Sequence, residues 1–270
     1  MKKIIIIGGS GFIGRCLIKH LLNLGCIPTV LLRKKDMELE NSGCNVIIHP
    51  EFEGLPIALS SLKSDVLINL AWRGVAGIER NKNYQLEDNL KITMWSVNLA
   101  KELQCSQWIG FGSQAEYGIQ DKKLSEKDPL LANTQYGISK VASYFSSLSL
   151  CKLYGIKSTW IRLFDPYGPG DADYWFIPTI ISSISSGKSP KLTSCEQMWD
   201  FIFIDDVTSG IIALINNEAS GIYNIGSGSV ISLKKVVEII DDIMGNPINI
   251  TFGDVPYRKD QKNQALTISQ

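Results

Sequence analysis

The sequence is poor in histidine, carries no net charge and has no long apolar run, and each shortage excludes a class of function. His20 and His49 are its only histidines. The six cysteines (Cys16, Cys26, Cys44, Cys105, Cys151 and Cys195) are scattered with no Cys-x-x-Cys pair, so no metal site is expected. An even number of cysteines permits disulfides in principle. A chain of 270 residues can build a core without them, and the thiols are read as reduced, mostly core groups of a cytoplasmic protein. Lys plus Arg and Asp plus Glu both number 27, which leaves no broad basic footprint and excludes nucleic acid as the expected partner. Attraction for an anion must therefore be local. The early apolar run Ile4–Ile7 is too short to span a membrane. It follows Lys2 and Lys3 as in a signal peptide, but glycines come at once and no small-residue cleavage site follows. The run reads as a buried strand, and no membrane partner is expected.

What is present is alternation. Residues 4–7, 29–32, 46–48, 66–70, 108–111 and 158–163 read as strands, several of them apolar throughout, as strands buried on both faces of a parallel sheet are. Between them, 12–24, 84–103 and 135–154 have helical length and spacing. The pattern predicts an α/β fold with a Rossmann-type doubly wound parallel sheet. After about residue 165 the alternation lapses, and Pro166, Gly168, Pro169, Gly170, Pro178 and Pro190 punctuate shorter elements near 177–187, 201–204, 206–216 and 233–243. The expected organisation is a dinucleotide-binding domain over 1–165 with the catalytic residues. A smaller C-terminal α/β substrate lobe follows over 166–270, the two forming one compact unit.

Three local patterns carry chemistry. Gly8-Gly9-Ser10-Gly11-Phe12-Ile13-Gly14 joins the first strand to the first helix. Free amides at a helix start with no Cβ atoms in the way can receive a pyrophosphate, and the third glycine lets helix and sheet approach. This makes Gly8, Ser10, Gly11, Phe12 and Ile13 cofactor-binding candidates; the plain alternative is a structural strand-to-helix turn. The second strand ends in Arg33-Lys34-Lys35 where an acidic residue would grip the ribose of NAD. The cluster suits the extra phosphate of NADP(H), with Arg33 able to hold it in a fork. A solvated basic turn is the alternative, and Asp36 beside it blurs the preference.

Tyr136-Gly137-Ile138-Ser139-Lys140 sets a phenol and an ammonium four apart on one face of a helix. A phenol titrates near about 10, and bringing it to about 7 takes ~4 kcal/mol of preference for the phenolate. A neighbouring ammonium, together with an oxidised nicotinamide, supplies such a preference. Ser113, just past a strand at its carboxyl edge, has a hydroxyl for the reacting oxygen. Each part alone has a bland reading, a surface pair or a turn serine. The combination in this order carries the case.

These residues resemble the extended short-chain dehydrogenase/reductase family, the NAD-dependent epimerase/dehydratase group. The likeness continues in Asn69-Leu70-Ala71, in 162–170 and in 199–207. It implies that Ser113 orients the substrate oxygen, that Tyr136 donates or accepts the proton and that Lys140 also holds the nicotinamide ribose. Leu70, Ala71 and Leu163 then line the cofactor, and a nucleotide-diphosphate sugar is the substrate. Family dehydratases carry an Asp-Glu pair after the catalytic serine or threonine. Here Gln114 and Ala115 stand there, Glu116 comes one place too late, and dehydration is not expected. The segment 112–118 is similar to nucleotide 4-keto-6-deoxy-sugar 4-reductases, which implies NADPH-dependent reduction at C4. An NAD(P)-dependent epimerase is the alternative, and a non-catalytic NADP-binding redox sensor a remoter one.

The chain departs from the family pattern at Asp165, where relatives have Asn, and at Trp199, where relatives have an Arg that contacts phosphate. Arg258 is the substitute candidate for the diphosphate. Gln114, Asp165, Trp175, Gln197 and Trp199 are candidates for the sugar and base. By analogy with relatives, helices 84–103 and 134–154 form the seam of a homodimer.

Overall fold

The computed structural model describes residues 2–59, 62–120, 122–245, 248–257 and 265–268. Among these the chain runs β1 (Ile4–Ile7), α1 (Phe12–Asn23), β2 (Thr29–Leu32), α2 (Met37–Glu40), β3 (Asn45–Ile48), β4 (Val66–Asn69), α3 (Tyr84–Glu102) and β5 (Gln107–Ser113). Next come β6 (Lys123–Leu124), α4 (Gln135–Tyr154), β7 (Lys157–Leu163), β8 (Asp165–Tyr167), α5 (Phe176–Ser185), β9 (Met198–Trp199) and β10 (Phe201–Phe203). The rest is α6 (Ile204–Asn216), β11 (Gly221–Ile225), β12 (Ile231–Ser232), α7 (Leu233–Ile243) and β13 (Ala265–Ile268). No helix among the described residues is long and apolar enough to cross a membrane.

The first compact unit holds Met1–Gly118, Pro129–Leu163 and Asp205–Ile225. Its parallel sheet has the order β11-β7-β5-β4-β1-β2-β3. All four side chains of β1 and of β4 are buried, the consequence of helices on both faces. From β1 the chain winds one way to β2 and β3, then crosses to β4 on the other side. Strand order thus reverses beside β1 while every strand stays parallel, and ligands bind outside the carboxyl ends at such a point. α1 buries Gly14, Leu17, Ile18 and Leu21, the three-and-four spacing of one helical stripe. α4 starts at Thr134, whose hydroxyl accepts the Gly137 amide at 3.1 Å, and stops at left-handed Gly155 (φ 70°).

In β5, Gly110 and Gly112 leave room for indoles. A Cβ on Gly110 would strike the Trp108 and Trp160 rings, and one on Gly112 would strike Trp160 and Glu116. The two rings stack 6.2 Å apart between centroids, 19° from parallel.

The second unit holds Ile119–Asp128, Phe164–Ile204 and Gly226–Gln270. β8 pairs with β10, and β12-β9-β13-β6 form a second small sheet. α5 and α7 enclose a core of Ile180, Ile184, Leu192, Cys195 and Val237. The division differs from one cut at 165. The chain leaves the sheet after β7 and returns with α6 and β11, whose Gly221–Ile225 extends the β7 edge in parallel. Residues 119–128 go to the second unit because β6 pairs with β13.

Candidate active site

The glycine loop is shaped by close backbone approach. Gly8 has φ +85°, and a Cβ there would sit 2.6 Å from the Ala71 amide nitrogen. One on Gly14 would sit 2.7 Å from the Gly8 carbonyl oxygen. The loop thus lies against the residues after β4, and α1 against the loop. Gly11 at the start of α1 makes no side-chain cap, so the first amides of the helix are left for an anion rather than taken by a cap.

A groove of about 920 Å³ opens here, with Gly8, Ser10, Gly11, Leu70 and Ala71 on one wall and Arg33, Lys34, Lys35 and Asp36 on another. This shape and charge fit a dinucleotide. The Arg33 guanidinium lies 5.5 Å over the Phe52 ring centroid, and Phe52 in turn packs edge-on against Trp95, which stacks on His49. Phe12 and Ile13 begin α1, half-buried, and are not part of the groove wall. Asp36, the acidic competitor in sequence, is engaged: its Oδ1 accepts the Leu39 amide at 3.2 Å and its Oδ2 accepts Arg15 Nη2 at 2.5 Å.

Ser113 ends β5 and opens a short helical turn, Gln114–Glu116. Its hydroxyl donates to Gln114 Oε1 at 2.6 Å and accepts the Ala115 amide at 3.2 Å. α4 packs tightly on this turn because residue 137 is glycine; a Cβ there would meet the Ala115 carbonyl at 2.5 Å. Tyr136 and Lys140 follow on the buried face of α4. Lys140 is 4% exposed. Its ammonium donates to the Phe111 carbonyl at 2.7 Å and stands 3.5 Å from the centre of the Trp72 ring, 5.6 Å from that of Tyr136. Trp72 meets Tyr136 edge-on at 5.8 Å, and Arg80 lies 4.9 Å over the same tyrosine ring. Trp72 also lines the groove, so it joins the catalytic candidates to the cofactor candidates. Nothing local in the sequence marks Trp72 or Arg80 for this place.

Burial pushes the Lys140 ammonium down to about 7, against an upward pull from Glu116. In the unfolded chain a lysine titrates near about 10.4. Between those values the unfolded state binds more protons, so stability rises with pH; below the lower value the full cost of burying the charge is present. Lys140→Met is therefore expected to raise the melting temperature of the cofactor-free protein. The gain should be largest at pH 6 and smaller at pH 9 by on the order of 2 kcal/mol. A gain that does not vary with pH in thermal melts would contradict this.

Behind Ser113 lies a buried ion pair that sequence reading missed. Glu116 is 0% and Arg162 1% exposed. Arg162 Nε donates to Glu116 Oε2 at 2.8 Å, Trp160 Nε1 to Oε1 at 3.0 Å and the Ser113 amide to Oε1 at 3.1 Å. Arg162 Nη1 donates to the Tyr117 hydroxyl at 2.9 Å, which donates to Asn224 Oδ1 at 2.7 Å. The Glu116 carboxylate is thus committed to the interior.

Leu163 ends β7 in register with Ser113. Asp165, Trp175 and Trp199 belong to the second unit. Asp165 opens β8, its amide donating to the Asp200 carbonyl at 3.4 Å. Trp175 precedes α5 and packs on Tyr174. Trp199 pairs with Ile231 across β9 and β12, and Gln197 accepts the Leu233 amide through its backbone carbonyl. The neighbouring Asp200 anchors a turn, accepting the Ser227 amide and hydroxyl at 2.7 and 2.6 Å and the Gly228 amide at 3.0 Å. Arg258 lies outside the described residues. All six cysteines are free thiols; burial pushes those of Cys105 and Cys151 up to about 12, which leaves them unreactive.

Residues 4–226 match the family model of the NAD dependent epimerase/dehydratase family. A CDP-abequose synthase of Yersinia pseudotuberculosis is 26% identical over 96% of this chain and 90% of its own length. A dTDP-4-dehydro-6-deoxyglucose reductase of Escherichia coli is 34% identical over 51% of this chain and 45% of its own length. Among solved structures, a UDP-N-acetylglucosamine 4-epimerase of Methanobrevibacter ruminantium in complex with UDP-N-acetylmuramic acid shares the fold. Its TM-score is 0.87 at 24% identity, covering 99% of this chain and 90% of that one.

Proposed function

The chain belongs to the NAD-dependent epimerase/dehydratase family of nucleotide-sugar enzymes, and from that premise we propose that it uses NADPH to reduce the C4 keto group of a nucleotide-linked 4-keto-6-deoxy sugar. The observation that carries this reading is the groove rim after β2. Arg33, Lys34 and Lys35 line the groove, while Asp36, the carboxylate that follows them in the chain, is held by Arg15 and the Leu39 amide. A rim of cations with its acid engaged favours the phosphate of NADPH over bare ribose hydroxyls. A reductase draws NADPH and releases NADP; an epimerase keeps its cofactor. The inward-turned Glu116 supports the same reading, since elimination of water needs a carboxyl at the sugar. The reductase and synthase among the relatives bear names that fit a dTDP- or CDP-linked sugar.

When bound in the groove, NADPH would supply the hydride. The chain's own residues do the rest. The Ser113 hydroxyl, now donating to Gln114, turns its proton to the keto oxygen, and the Gln114 amide stays beside it as the alternative partner. Tyr136 gives its phenolic proton to the same oxygen as negative charge grows there. Lys140, held by the Phe111 carbonyl and the Trp72 face, balances the phenolate that remains. Its pKa of about 7 lets it take up a proton near neutral pH when that charge appears.

The test is consumption of NADPH with dTDP-, CDP- and GDP-linked 4-keto-6-deoxyhexoses. One NADPH should disappear per sugar, NADH should serve poorly, and Arg33→Ala should cost about tenfold or more in NADPH affinity. No oxidation with any of them, together with C4 epimerisation of a UDP-hexose, would overturn the proposal.

A further inference from the structure

The rim of the groove carries two opposite signals, the cations 33–35 and the acid Asp36, and one side chain settles between them. Arg15 follows Gly14 on the first turn of α1. Its Nε donates to the Ser10 carbonyl at 3.1 Å, its Nη1 to Glu38 Oε2 at 2.7 Å and its Nη2 to Asp36 Oδ2 at 2.5 Å. The guanidinium thus bridges the glycine loop and the turn after β2, the two segments that would hold pyrophosphate and ribose. Glu38 is 79% exposed at its side chain, so that arm contributes little. Asp36 is only 16% exposed, and both of its oxygens are occupied, one by Arg15 and one by the Leu39 amide at the start of α2.

We propose that Arg15 determines cofactor preference by holding Asp36 engaged, without itself touching the cofactor. An unpaired carboxylate at this rim would accept the ribose hydroxyls of NAD and repel a 2′-phosphate. Paired with a guanidinium and a backbone amide, each of its oxygens already accepts one bond and its charge is offset, so it offers less to ribose hydroxyls and repels a phosphate less. Arg33 then acts on the phosphate with less opposition from Asp36. The inference rests on the NADPH reading for the sign of the natural preference, but the coupling between Arg15 and Asp36 is measurable without it.

The experiment is equilibrium titration of the full chain with NADP⁺ and NAD⁺, in the absence of sugar, for the native protein and for Arg15→Ala, Asp36→Asn and the double variant. Asparagine caps a helix about as well as aspartate, so Asp36→Asn removes the charge and keeps the start of α2. Arg15→Ala should lower the ratio of NADP⁺ to NAD⁺ affinity by about tenfold. Adding Asp36→Asn should return that ratio to within about threefold of the native one, and Asp36→Asn alone should leave it within the same margin. A ratio unmoved by Arg15→Ala overturns the inference. So does a fall that Asp36→Asn fails to restore, because Arg15 would then act through its own charge on the phosphate. If Arg15→Ala does not fold, Arg15→Gln carries the same comparison. A native protein that prefers NAD⁺, and does not respond to Arg33→Ala, defeats the NADPH reading instead, while the shift and its rescue still decide the role of Arg15.

Discussion

Tyr136→Phe is expected to lower turnover with a 4-keto sugar by about 10²- to 10⁴-fold, the usual contribution of one positioned proton donor, and to leave NADPH binding within about threefold of native. The two halves of the expectation come from different atoms. The ring stays, so its edge contact with Trp72 and the Arg80 stack over it persist, and the groove beside Trp72 keeps its shape. The hydroxyl goes, and with it the proton for the nascent alkoxide. Lys140 cannot replace it, because its ammonium is turned to the Phe111 carbonyl and the Trp72 face. Single-turnover kinetics beside a cofactor titration separates the two. Turnover above half of native would remove Tyr136 from the chemistry. Unchanged turnover in the equivalent Ser113→Ala variant would likewise show that the carbonyl is oriented elsewhere.

The largest expected loss of stability follows from Glu116→Ala. Truncating one partner of a buried ion pair costs about 3–5 kcal/mol, because the other charge is left uncompensated. Here that charge is Arg162, 1% exposed, and the Trp160 indole and Ser113 amide lose their acceptor as well. The melting temperature should fall on the order of 10 °C. Glu116→Ala combined with Arg162→Met should recover part of the loss, since the pair is then replaced by groups that need no partner. Thermal melts of the three variants test this. A fall of less than about 2 °C would mean that water reaches the pair. The same pair ties the end of β5 to β7, so Ser113 is expected to lose its fixed position when the pair is broken. Turnover should then fall further than the stability loss alone explains, even at temperatures where the variant is fully folded.

The parts of this molecule that can be read from its sequence are those whose cause is local. Ile4–Ile7 is buried on both faces because it is apolar throughout, and the glycines after it are demanded by the approach of Ala71 to Gly8. Tyr136 and Lys140 share a face because a helix repeats every 3.6 residues. What escaped reading depends on residues distant in the chain. Glu116 and Arg162 are 46 apart, and only the pairing of β5 with β7 brings them together. Trp72 reads as one more aromatic after a strand until α4 lays Lys140 against it. Gly221–Ile225 is short and flanked by glycine and serine, yet the open edge of β7 makes it the seventh strand of the sheet. Asp36 reads as an acid that opposes Arg33, and the arginine that engages it sits on a different helix. In the second unit, Asp165, Trp175 and Trp199 take structural places in β8, before α5 and in β9; their part in binding sugar stays a proposal.

In the proposed reaction, hydride goes once, from a dissociable NADPH, to C4 of the sugar. The most direct measurement is transfer of deuterium from nicotinamide-deuterated NADPH to a nucleotide 4-keto-6-deoxyhexose, followed by NMR of the product. One deuterium at C4, a new hydroxyl there, and one NADP⁺ released per product are expected of this reaction. A product that carries deuterium elsewhere, or an inverted sugar formed with no net loss of NADPH, would contradict it.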